Sequence, residues 1–346
     1  MSRAVRQISV QAAPRKPRLG FVGLGWIGRH RLQSVVEAGV AEIAAIHDVQ
    51  ASATDEARKL SADAVEFSEF EELLRDDLDG VVIATPNCFH AEQSIAALER
   101  GIAVFCQKPL GRNAAETRRI VDAAREADCL LGVDLSYRAL PAMQAVSDLV
   151  ASGELGKVFA VEAKFLNGYG PDKAWFRNYA LSGGGCVLDL GSHLVDLALR
   201  PLGFPRVTSV QSSLFAKGEL AGVEEVEDYG VATIEASDSV VINLSCCWNL
   251  HMGREADIEI AFYGTSGGAR LRNVGGSFYD FVGERFCGTK TEVIGCSAQW
   301  EWGGLATTEW IKRLGVDDSF DTEAESFVLS AEVVDRIYKI HRDKAR

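Results

Sequence analysis

A glycine-rich turn between an apolar run and a helical pattern constrains this chain more than any other feature. Gly23-Leu24-Gly25-Trp26-Ile27-Gly28 follows the apolar run 19–22 and opens a helical pattern at 27–37. In this setting the glycines let a backbone approach a pyrophosphate, and the helix N-terminus offers unpaired N–H groups. Asp48 ends the next apolar run, 20 residues after Gly28. That spacing is typical of a ribose-binding carboxylate, so the segment predicts a dinucleotide site.

Asp48 also predicts which dinucleotide binds. A carboxylate accepts hydrogen bonds from ribose hydroxyls and repels a 2′-phosphate. Residues 49–52 carry no cation, and the next ones, Arg58 and Lys59, lie about two to three helical turns further on. NAD is therefore favoured over NADP. A tight turn capped by Asp48, without a ligand, is the structural alternative.

Short apolar strands alternate with helical stretches through the first part of the chain. Continuous apolar strands joined by helical crossovers predict a doubly wound parallel α/β sheet, a Rossmann domain over 19–138. The predicted strands are 19–22, 43–47, 81–84, 103–106 and 130–133, and the predicted helices are 27–37, 52–60, 91–100 and 114–127.

After Pro141 the pattern changes to longer segments rich in β-branched residues. They predict an α+β domain over 139–346, built on a large, mostly antiparallel open sheet. An apolar sheet face left open would need cover, so a homodimer or homotetramer is expected. The predicted helices are 142–151 and 322–341, and the predicted strands are 158–165, 207–215, 230–234, 240–246 and 258–263.

Charge and cysteine content exclude several classes of protein. The 346 residues carry a net charge of −13, which argues against a nucleic-acid partner. No apolar run approaches the roughly 18 residues of a membrane helix. The eight cysteines contain no C-x-x-C pair, which indicates free thiols in a reducing compartment and a cytoplasmic protein. Residues 1–18 hold five cations and no acid, and we interpret them as a disordered tail, with a subunit-packing arm as the alternative.

Two further segments carry side chains suited to catalysis. Gln107-Lys108-Pro109 follows the fifth predicted strand, where ligands of open α/β sheets bind, and a cis bond to Pro109 would fix this turn. In the segment after Gly185 a helix would bring Asp189, His193 and Asp196 within an arc of about 60°. Apolar residues cover the rest of this helix, which predicts that it is buried, so its polar stripe indicates a functional role. A packed core histidine and a small metal site on the three residues are the alternatives, and no metal is the favoured interpretation.

In combination these motifs resemble the glucose–fructose oxidoreductase, inositol dehydrogenase and rhizopine-catabolism family (Gfo/Idh/MocA). The resemblance is strong from residue 19 to about residue 203 and architectural afterwards. The matching residues are the turn 23–28, Thr85-Pro86-Asn87 with His90, Lys108-Pro109, Arg138 with Pro141, and the segment from Trp175 to Asp189-x-x-x-His193-x-x-Asp196.

The resemblance implies a nicotinamide cofactor on the first domain and a sugar, polyol or sugar derivative on the second. Lys108 would contact the reacting hydroxyl, His193 would exchange its proton, and Asp189 would bind or orient substrate. These roles agree with the chemistry, because alcohol oxidation needs a base and an ammonium stabilises a developing alkoxide. The implied cofactor contacts are Gly23, Gly25, Trp26, Ile27, Gly28, Asp48, Thr85, Pro86, Asn87, His90, Gln107 and Lys108. The implied substrate contacts are Lys108, Arg138, Trp175, Arg177, Asp189 and His193.

One residue departs from the family pattern, in which a glutamate usually precedes the lysine. Gln107 keeps the shape and loses the charge, so restoring the carboxylate is expected to support the Lys108 ammonium. The loop 167–178, with Tyr169, Trp175 and Arg177, is expected to help select the substrate.

The favoured interpretation is an NAD-dependent dehydrogenase of sugar or polyol hydroxyls. Two alternatives remain: an NAD-dependent glycosidase that uses transient oxidation, and a non-catalytic NAD-binding sensor. The presence of Lys108, Asp189 and His193 together argues against the sensor.

Overall fold

The computed structural model describes residues 16–74 and 77–345. Within them, the first sheet has six parallel strands in the order β3-β2-β1-β4-β5-β6. The order reverses between β1 and β4, which places a crevice beside the turns that follow these two strands. The strands are β1 (Arg18–Val22), β2 (Glu42–His47), β3 (Val65–Glu66), β4 (Gly80–Ile83), β5 (Ala103–Cys106) and β6 (Leu131–Val133).

Five helices among the described residues connect these strands, and apolar clusters cover both faces of the sheet. The predicted doubly wound sheet is confirmed. The structure adds β3 and α3, two short elements that were not predicted. The helices are α1 (Trp26–Ala38), α2 (Ala51–Arg58), α3 (Phe70–Leu73), α4 (Asn87–Leu98) and α5 (Ala114–Glu126).

The second sheet has nine strands in the described chain, in the order β15-β14-β13-β12-β7-β11-β10-β8-β9. Neighbours are antiparallel except for β7 and β11, so the predicted mostly antiparallel sheet is also confirmed. The last three strands and the two-residue strand β9 were not predicted. The strands are β7 (Val158–Asn167), β8 (Val207–Ala216), β9 (Glu219–Leu220), β10 (Tyr229–Ala236), β11 (Val240–Cys247), β12 (Ala256–Gly264), β13 (Gly268–Asn273), β14 (Phe281–Cys287) and β15 (Lys290–Ser297).

The helices of the second half pack on the inner face of this sheet or return to the first one. They are α6 (Pro141–Ala151), α7 (Tyr179–Ser182), α8 (Ser192–Leu199), α9 (Gln299–Leu314) and α10 (Glu325–Ala345). Helix α9, which was not predicted, packs against the first sheet, where Trp310 lies 5.5 Å from the ring of Phe105. No helix in the described part of the chain is long and apolar enough to cross a membrane.

The outer face of the second sheet is polar, which corrects the expectation of an apolar face. Thr233 donates to Asn243 at 3.0 Å, and Asn243 donates to Glu162 at 2.8 Å. Nearby, Arg270 pairs with Glu284 at 2.7 Å. Outward positions of these strands carry hydrogen-bonding and charged groups that water can solvate, so the argument for subunit contact through an apolar face does not hold.

Residues 1–15 of the predicted tail lie outside the described residues. Arg18, the last residue of that predicted tail, instead opens β1. Its guanidinium pairs with Glu42 and, at 3.0 Å, with Asp77.

Candidate active site

The glycine turn has the shape that a pyrophosphate site requires. Gly23 has a φ of +81°, and a Cβ there would lie 2.5 Å from the carbonyl carbon of Ala84. A Cβ at Gly28 would lie 1.9 Å from the carbonyl oxygen of Gly23. A Cβ at Gly25 would meet none of the described protein atoms within 4 Å, so this side of the turn is open. Because no described side chain caps α1, its first N–H groups can bind the anion.

Asp48 caps this turn and keeps acceptor capacity for a ribose. Its Oδ2 accepts from the Leu24 N–H at 2.6 Å, and its Oδ1 accepts from the Gln50 N–H at 2.8 Å. A carboxylate has about four acceptor positions, so both the capping and the ribose-binding interpretations can hold together. The two cations beyond it are engaged, Arg58 with Glu66 and Lys59 with Glu56.

The first turn of α1 also presents side chains to the crevice. Trp26 is 56% exposed, and its ring lies 5.7 Å from His30 and 6.2 Å from Trp302 of α9. Ile27 is half-buried. Arg29, which the sequence analysis missed, donates to the carbonyl of Leu24 at 2.7 Å and places a cation beside the turn.

The Thr85-Pro86-Asn87 segment forms the turn between β4 and α4. The Thr85 hydroxyl donates to Gln93 at 2.6 Å, and the Asn87 amide donates to the Ser182 carbonyl at 2.8 Å. His90 is fully buried, with its ring nitrogens 2.7 Å from the Pro109 carbonyl and 2.8 Å from the Thr85 carbonyl. His90 therefore links the turn at Thr85 to the turn at Pro109 from the protein interior, and its ring is not accessible to a ligand.

Lys108 lies just beyond the end of β5 and reaches the second half of the chain. The Lys108–Pro109 peptide is cis, as proposed from the sequence. The Lys108 ammonium pairs with the carboxylate of Asp189 and donates to the Asp189 carbonyl at 3.0 Å. Both side chains keep some exposure, 19% and 17%, so a small ligand can reach the pair.

Asp189 lies in a π-helical turn, Val187–Gly191, that runs directly into α8. The sequence analysis expected one regular helix with Asp189, His193 and Asp196 on a shared stripe. That expectation is wrong in detail, because a π turn has i to i+5 spacing and shifts Asp189 relative to the residues of α8. The buried carboxylate of Glu227 accepts from the N–H groups of Gly185 and Val187, both at 2.9 Å, and anchors the start of this turn.

His193 is buried beside aromatic rings. It is 5% exposed, and its ring centroid lies 5.0 Å from Tyr137 and 6.3 Å from Phe165. Burial is the main cause that lowers the pKa of His193. Neighbouring positive charges lower it further, those of Lys108, Arg31 and Arg138. The imidazole is therefore neutral at physiological pH and able to accept a proton.

Asp196 and Arg138 are committed to each other. The carboxylate, 1% exposed, accepts two hydrogen bonds from the guanidinium, which also lies 5.2 Å from the ring centroid of Phe327. The ion pair joins the turn Ser136–Ala139 to α8, and the ring contact joins that turn to α10, so Arg138 faces Asp196 and not open space. It also leaves no support for a metal on Asp196, and within residues 16–74 and 77–345 no group of three His, Cys, Asp or Glu side chains is arranged to hold one.

Gln107 belongs to a buried network that the sequence analysis missed. Its side-chain amide donates to Asp134 Oδ2, which also accepts from Arg31 Nε at 2.6 Å. These side chains are nearly inaccessible, with 8% exposure at Gln107, 1% at Asp134 and 2% at Arg31. The carboxylate beside residue 107 thus comes from the residue that follows β6, and no spacing in the sequence signals it.

The segment that follows β11 contacts Asp189 through a tryptophan that was also missed. Trp248, 2% exposed, donates its indole N–H to Asp189 Oδ2 at 3.0 Å. Arg177 lies over the Trp248 ring at 5.2 Å, and Trp175 stacks on Phe176 at 3.8 Å. Arg177 therefore reaches Asp189 through Trp248, and Trp175 reaches it through Phe176 and Trp248.

Two family models match this chain. One, "Oxidoreductase family, NAD-binding Rossmann fold", matches residues 17–135, and "GFO/IDH/MocA C-terminal domain" matches residues 143–270. D-xylose 1-dehydrogenase (NADP(+)) 2 of Haloferax volcanii is 34% identical over 229 residues, covering 63% of this chain and 68% of that protein. The chain belongs to the Gfo/Idh/MocA family. The resemblance stated from the sequence is confirmed.

Other relatives in the Gfo/Idh/MocA family align over shorter spans. D-glucoside 3-dehydrogenase of Escherichia coli is 32% identical over 205 residues, covering 56% of this chain and 58% of that protein. Levoglucosan dehydrogenase of Pseudarthrobacter phenanthrenivorans is 28% identical over 223 residues, covering 58% of this chain and 57% of that protein. The chain thus spans less than three fifths of the length of these two relatives.

Solved structures agree in fold over nearly the whole chain. Levoglucosan dehydrogenase in complex with NADH and levoglucosan superposes with a TM-score of 0.79 at 20% identity, covering 95% of this chain and 98% of that one. GenD2 from gentamicin A biosynthesis, in complex with NAD, superposes with a TM-score of 0.80 at 23% identity, covering 95% of each chain. At these identities the likeness shows the two-sheet fold alone.

Proposed function

We propose that this protein is an NAD-dependent dehydrogenase that oxidises a carbinol carbon of a sugar, polyol or sugar derivative, or runs the reverse reduction. The observation that carries the proposal is the Lys108–Asp189 ion pair, which holds a cation from the end of β5 where its charge adds to burial in lowering the pKa of His193. The names of the family relatives, all sugar-directed in those quoted above, support the substrate class.

His193 is the proposed base. Its lowered pKa keeps the imidazole unprotonated, so it can take the hydroxyl proton as the carbon is oxidised and return it in the reverse direction. The bound nicotinamide would take up or supply the hydride. Tyr137 packs edge-on against the imidazole and limits its rotation.

Lys108 is proposed to stabilise the negative charge that develops on the reacting oxygen. An ammonium in a partly buried cleft stabilises an alkoxide more strongly than one in bulk water. Asp189 holds that ammonium in place and is itself oriented by the Trp248 indole. Asp189 is therefore proposed both to position Lys108 and to accept a hydrogen bond from a substrate hydroxyl.

NAD is the proposed cofactor, bound by the glycine turn and Asp48. The open side of Gly25 and the uncapped start of α1 fit the pyrophosphate, and the half-buried Asp48 carboxylate fits two ribose hydroxyls. The pairing of Arg58 and Lys59 with glutamates supports NAD over NADP, because neither cation is left for a 2′-phosphate.

A panel of aldoses, polyols and inositols, assayed with the full chain for NADH formation, tests the proposed function. We expect steady NADH formation with at least one cyclic sugar or polyol, and its loss in His193→Ala. Net NADH formation also excludes the NAD-dependent glycosidase, which would return its cofactor unchanged, and the non-catalytic sensor. The absence of NADH with every member of the panel, in a preparation that binds NAD, would contradict the dehydrogenase.

The predicted homodimer or homotetramer and the cytoplasmic location stay proposals. Sedimentation of the full chain at micromolar concentration tests the first. The second is supported by the eight cysteines, all in the described part of the chain and all free thiols, as expected in a reducing compartment.

A further inference from the structure

Aromatic side chains cluster in the loops at one end of the strands of the second sheet, where β7 and β13 end. The register pairs Asn167 of β7 with Ala256 of β12, and Asn273 of β13 with Phe281 of β14. Both strands are antiparallel to β12, so the loops that follow β7 and β13 leave the sheet at the same end of the strands. Tyr169 in the first loop and Phe278 in the second have ring centroids 5.5 Å apart.

The row of rings continues from these loops to α9. Phe278 lies 6.3 Å from Tyr279, and Tyr279 lies 5.1 Å from Trp302. We call Tyr169, Phe278, Tyr279 and Trp302 the aromatic rim. Tyr169 is 55% exposed and the other three are partly exposed, whereas Phe281 at the start of β14 is 2% exposed. The rim therefore presents ring surface to solvent that the core of the same sheet keeps buried.

The rim is continuous with the side chains around His193. Phe281, two residues after Tyr279, packs against Tyr137 at 5.5 Å, and Tyr137 contacts His193 at 5.0 Å. Phe165, four residues before Tyr169, also contacts both Tyr137 and His193. A ligand whose reacting carbon lies beside His193 thus has the rim next to the rings that surround this imidazole.

Accessible aromatic faces at the mouth of a polar site recognise a particular ligand chemistry. They bury the apolar C–H face of a pyranose or the face of an aromatic ring, and such contacts strengthen binding by about tenfold. The hydroxyls of a free monosaccharide or open-chain polyol can hydrogen-bond to Lys108, Asp189 and His193. Such a ligand would leave the rings of the aromatic rim exposed to solvent. A substrate with a second ring would cover them.

We propose that the aromatic rim binds a second ring of the substrate, so that the protein acts on glycosides in which the reacting sugar carries a cyclic aglycone or a further sugar. The proposal rests on the dehydrogenase function above and names its substrate class. Oxidation then takes place at a carbinol carbon other than the anomeric one, since the glycosidic bond occupies that position. The hydroxyl proton goes to His193 and the hydride to NAD, so the step balances without another reactant.

Matched glycosides test the proposal directly. The full chain is assayed with NAD on methyl and phenyl β-D-glucosides, galactosides and xylosides, together with the free sugars, and kcat/KM is compared within each pair. We expect the phenyl glycoside to exceed the methyl glycoside by about tenfold. In Tyr169→Ala and Phe278→Ala this ratio should fall toward one.

Phe159→Ala is the matched control, because Phe159 is a 48% exposed aromatic at the opposite end of β7. It should keep the phenyl-to-methyl ratio of the parent protein. The proposal is overturned if the parent ratio is already near one, if the rim variants keep it, or if free sugars are oxidised and glycosides are not. NADH formation in any of those cases leaves the dehydrogenase function standing, whereas no NADH from any of these compounds or from the wider panel overturns both.

Discussion

Lys108 and Asp189 form a partly buried ion pair that links the end of strand β5 to the π turn before α8. The second carboxylate oxygen of Asp189 accepts from the indole of Trp248 at 3.0 Å, so the acid is held from both sides. This arrangement fixes the ammonium beside the neutral His193 without drawing on the glycine turn. Cofactor binding and proton transfer are therefore expected to be separable by mutation.

Replacing His193 tests that separation. We expect His193→Ala to lower kcat by about 10²–10⁴, the usual contribution of a general acid–base group, and to leave NAD affinity unchanged. The loss should not add to that of Lys108→Ala, because both groups act on one oxygen. Steady-state kinetics and calorimetric titration with NAD measure the two effects.

His341 provides a matched control for that experiment. It is 3% exposed and lies 2.8 Å from the Ala221 carbonyl, remote from Lys108 in the fold. His341→Ala should lower the melting temperature and leave kcat of the folded protein unaltered. A His193→Ala protein that melts normally, binds NAD normally and turns over at near the parental rate would eliminate the proposed base.

The pH dependence of kcat/KM follows from the lowered pKa of His193. Burial and three neighbouring cations favour the neutral imidazole, so the base stays competent at pH 6.5, the ordinary pKa of histidine. We expect kcat/KM to be level from pH 6.5 upward to neutrality and to fall only in more acidic solution. An acid limb centred at or above pH 6.5, measured at constant ionic strength, would be inconsistent with this environment.

Asp48 should set the preference between the two dinucleotides. We expect NAD to bind at least about tenfold tighter than NADP, a gap of about 1.4 kcal/mol, because the carboxylate repels a 2′-phosphate. Asp48→Asn keeps an acceptor for the Leu24 N–H and removes the charge, so the gap should narrow. Asp55→Asn, on the exposed side of α2, is the charge-matched control. Equal affinities of the parent protein for NAD and NADP, by calorimetry, would refute the assignment.

Glu227 should make stability depend on pH. Burial raises its pKa to about 7 from 4.5, so the folded protein holds a proton that the unfolded chain releases above pH 4.5. The associated stability is fully present below pH 4.5 and is lost as pH rises through about 7. At about 1.4 kcal/mol per pKa unit, the total is about 3 kcal/mol.

Denaturant unfolding of the parent and Glu227→Gln isolates this contribution. The free energy of unfolding of the parent minus that of Glu227→Gln should fall from pH 4.5 to pH 7.5, because only the parent loses stability as residue 227 ionises, while the pH dependence of other groups cancels. A difference that stays constant over this range would show that Glu227 is ionised in the folded protein throughout.

The first sheet was predictable because its strands are continuous apolar runs whose ends coincide with turn residues. Predicted and observed bounds of β2, β5 and α5 differ by at most one residue. Helix α9 was missed because it contains Gly303 and Gly304, which disfavour a helix. Their reason is tertiary: a Cβ at Gly303 would lie 2.4 Å from His30, and one at Gly304 would lie 2.5 Å from Ser34.

The candidate site was predictable only where motifs carry it. Lys108, Asp189 and His193 stand in recognisable segments; the structure pairs the first two, and the Lys108 charge adds to burial in lowering the pKa of His193. Trp248 lies 59 residues from Asp189, and Asp134 lies 27 residues from Gln107, so their contacts depend on which strands become neighbours. The π turn likewise depends on Glu227, a distant partner that no local pattern reveals.

The buried contact between Gln107 and Asp134 gives the family glutamate at position 107 an effect on fold stability. The Gln107 amide faces Asp134, so Gln107→Glu would bring two carboxylates together in a site where Arg31 neutralises only one. One of them must then stay protonated, with a raised pKa, and its ionisation as pH rises destabilises the fold. We expect Gln107→Glu to lower the free energy of unfolding by about 1–3 kcal/mol, more at pH 8 than at pH 5.

Adding Asp134→Asn supplies a donor to the new carboxylate and should recover most of that loss, which a double-mutant cycle by urea unfolding measures. A Gln107→Glu protein as stable as the parent at pH 8 would mean that the amide does not depend on Asp134.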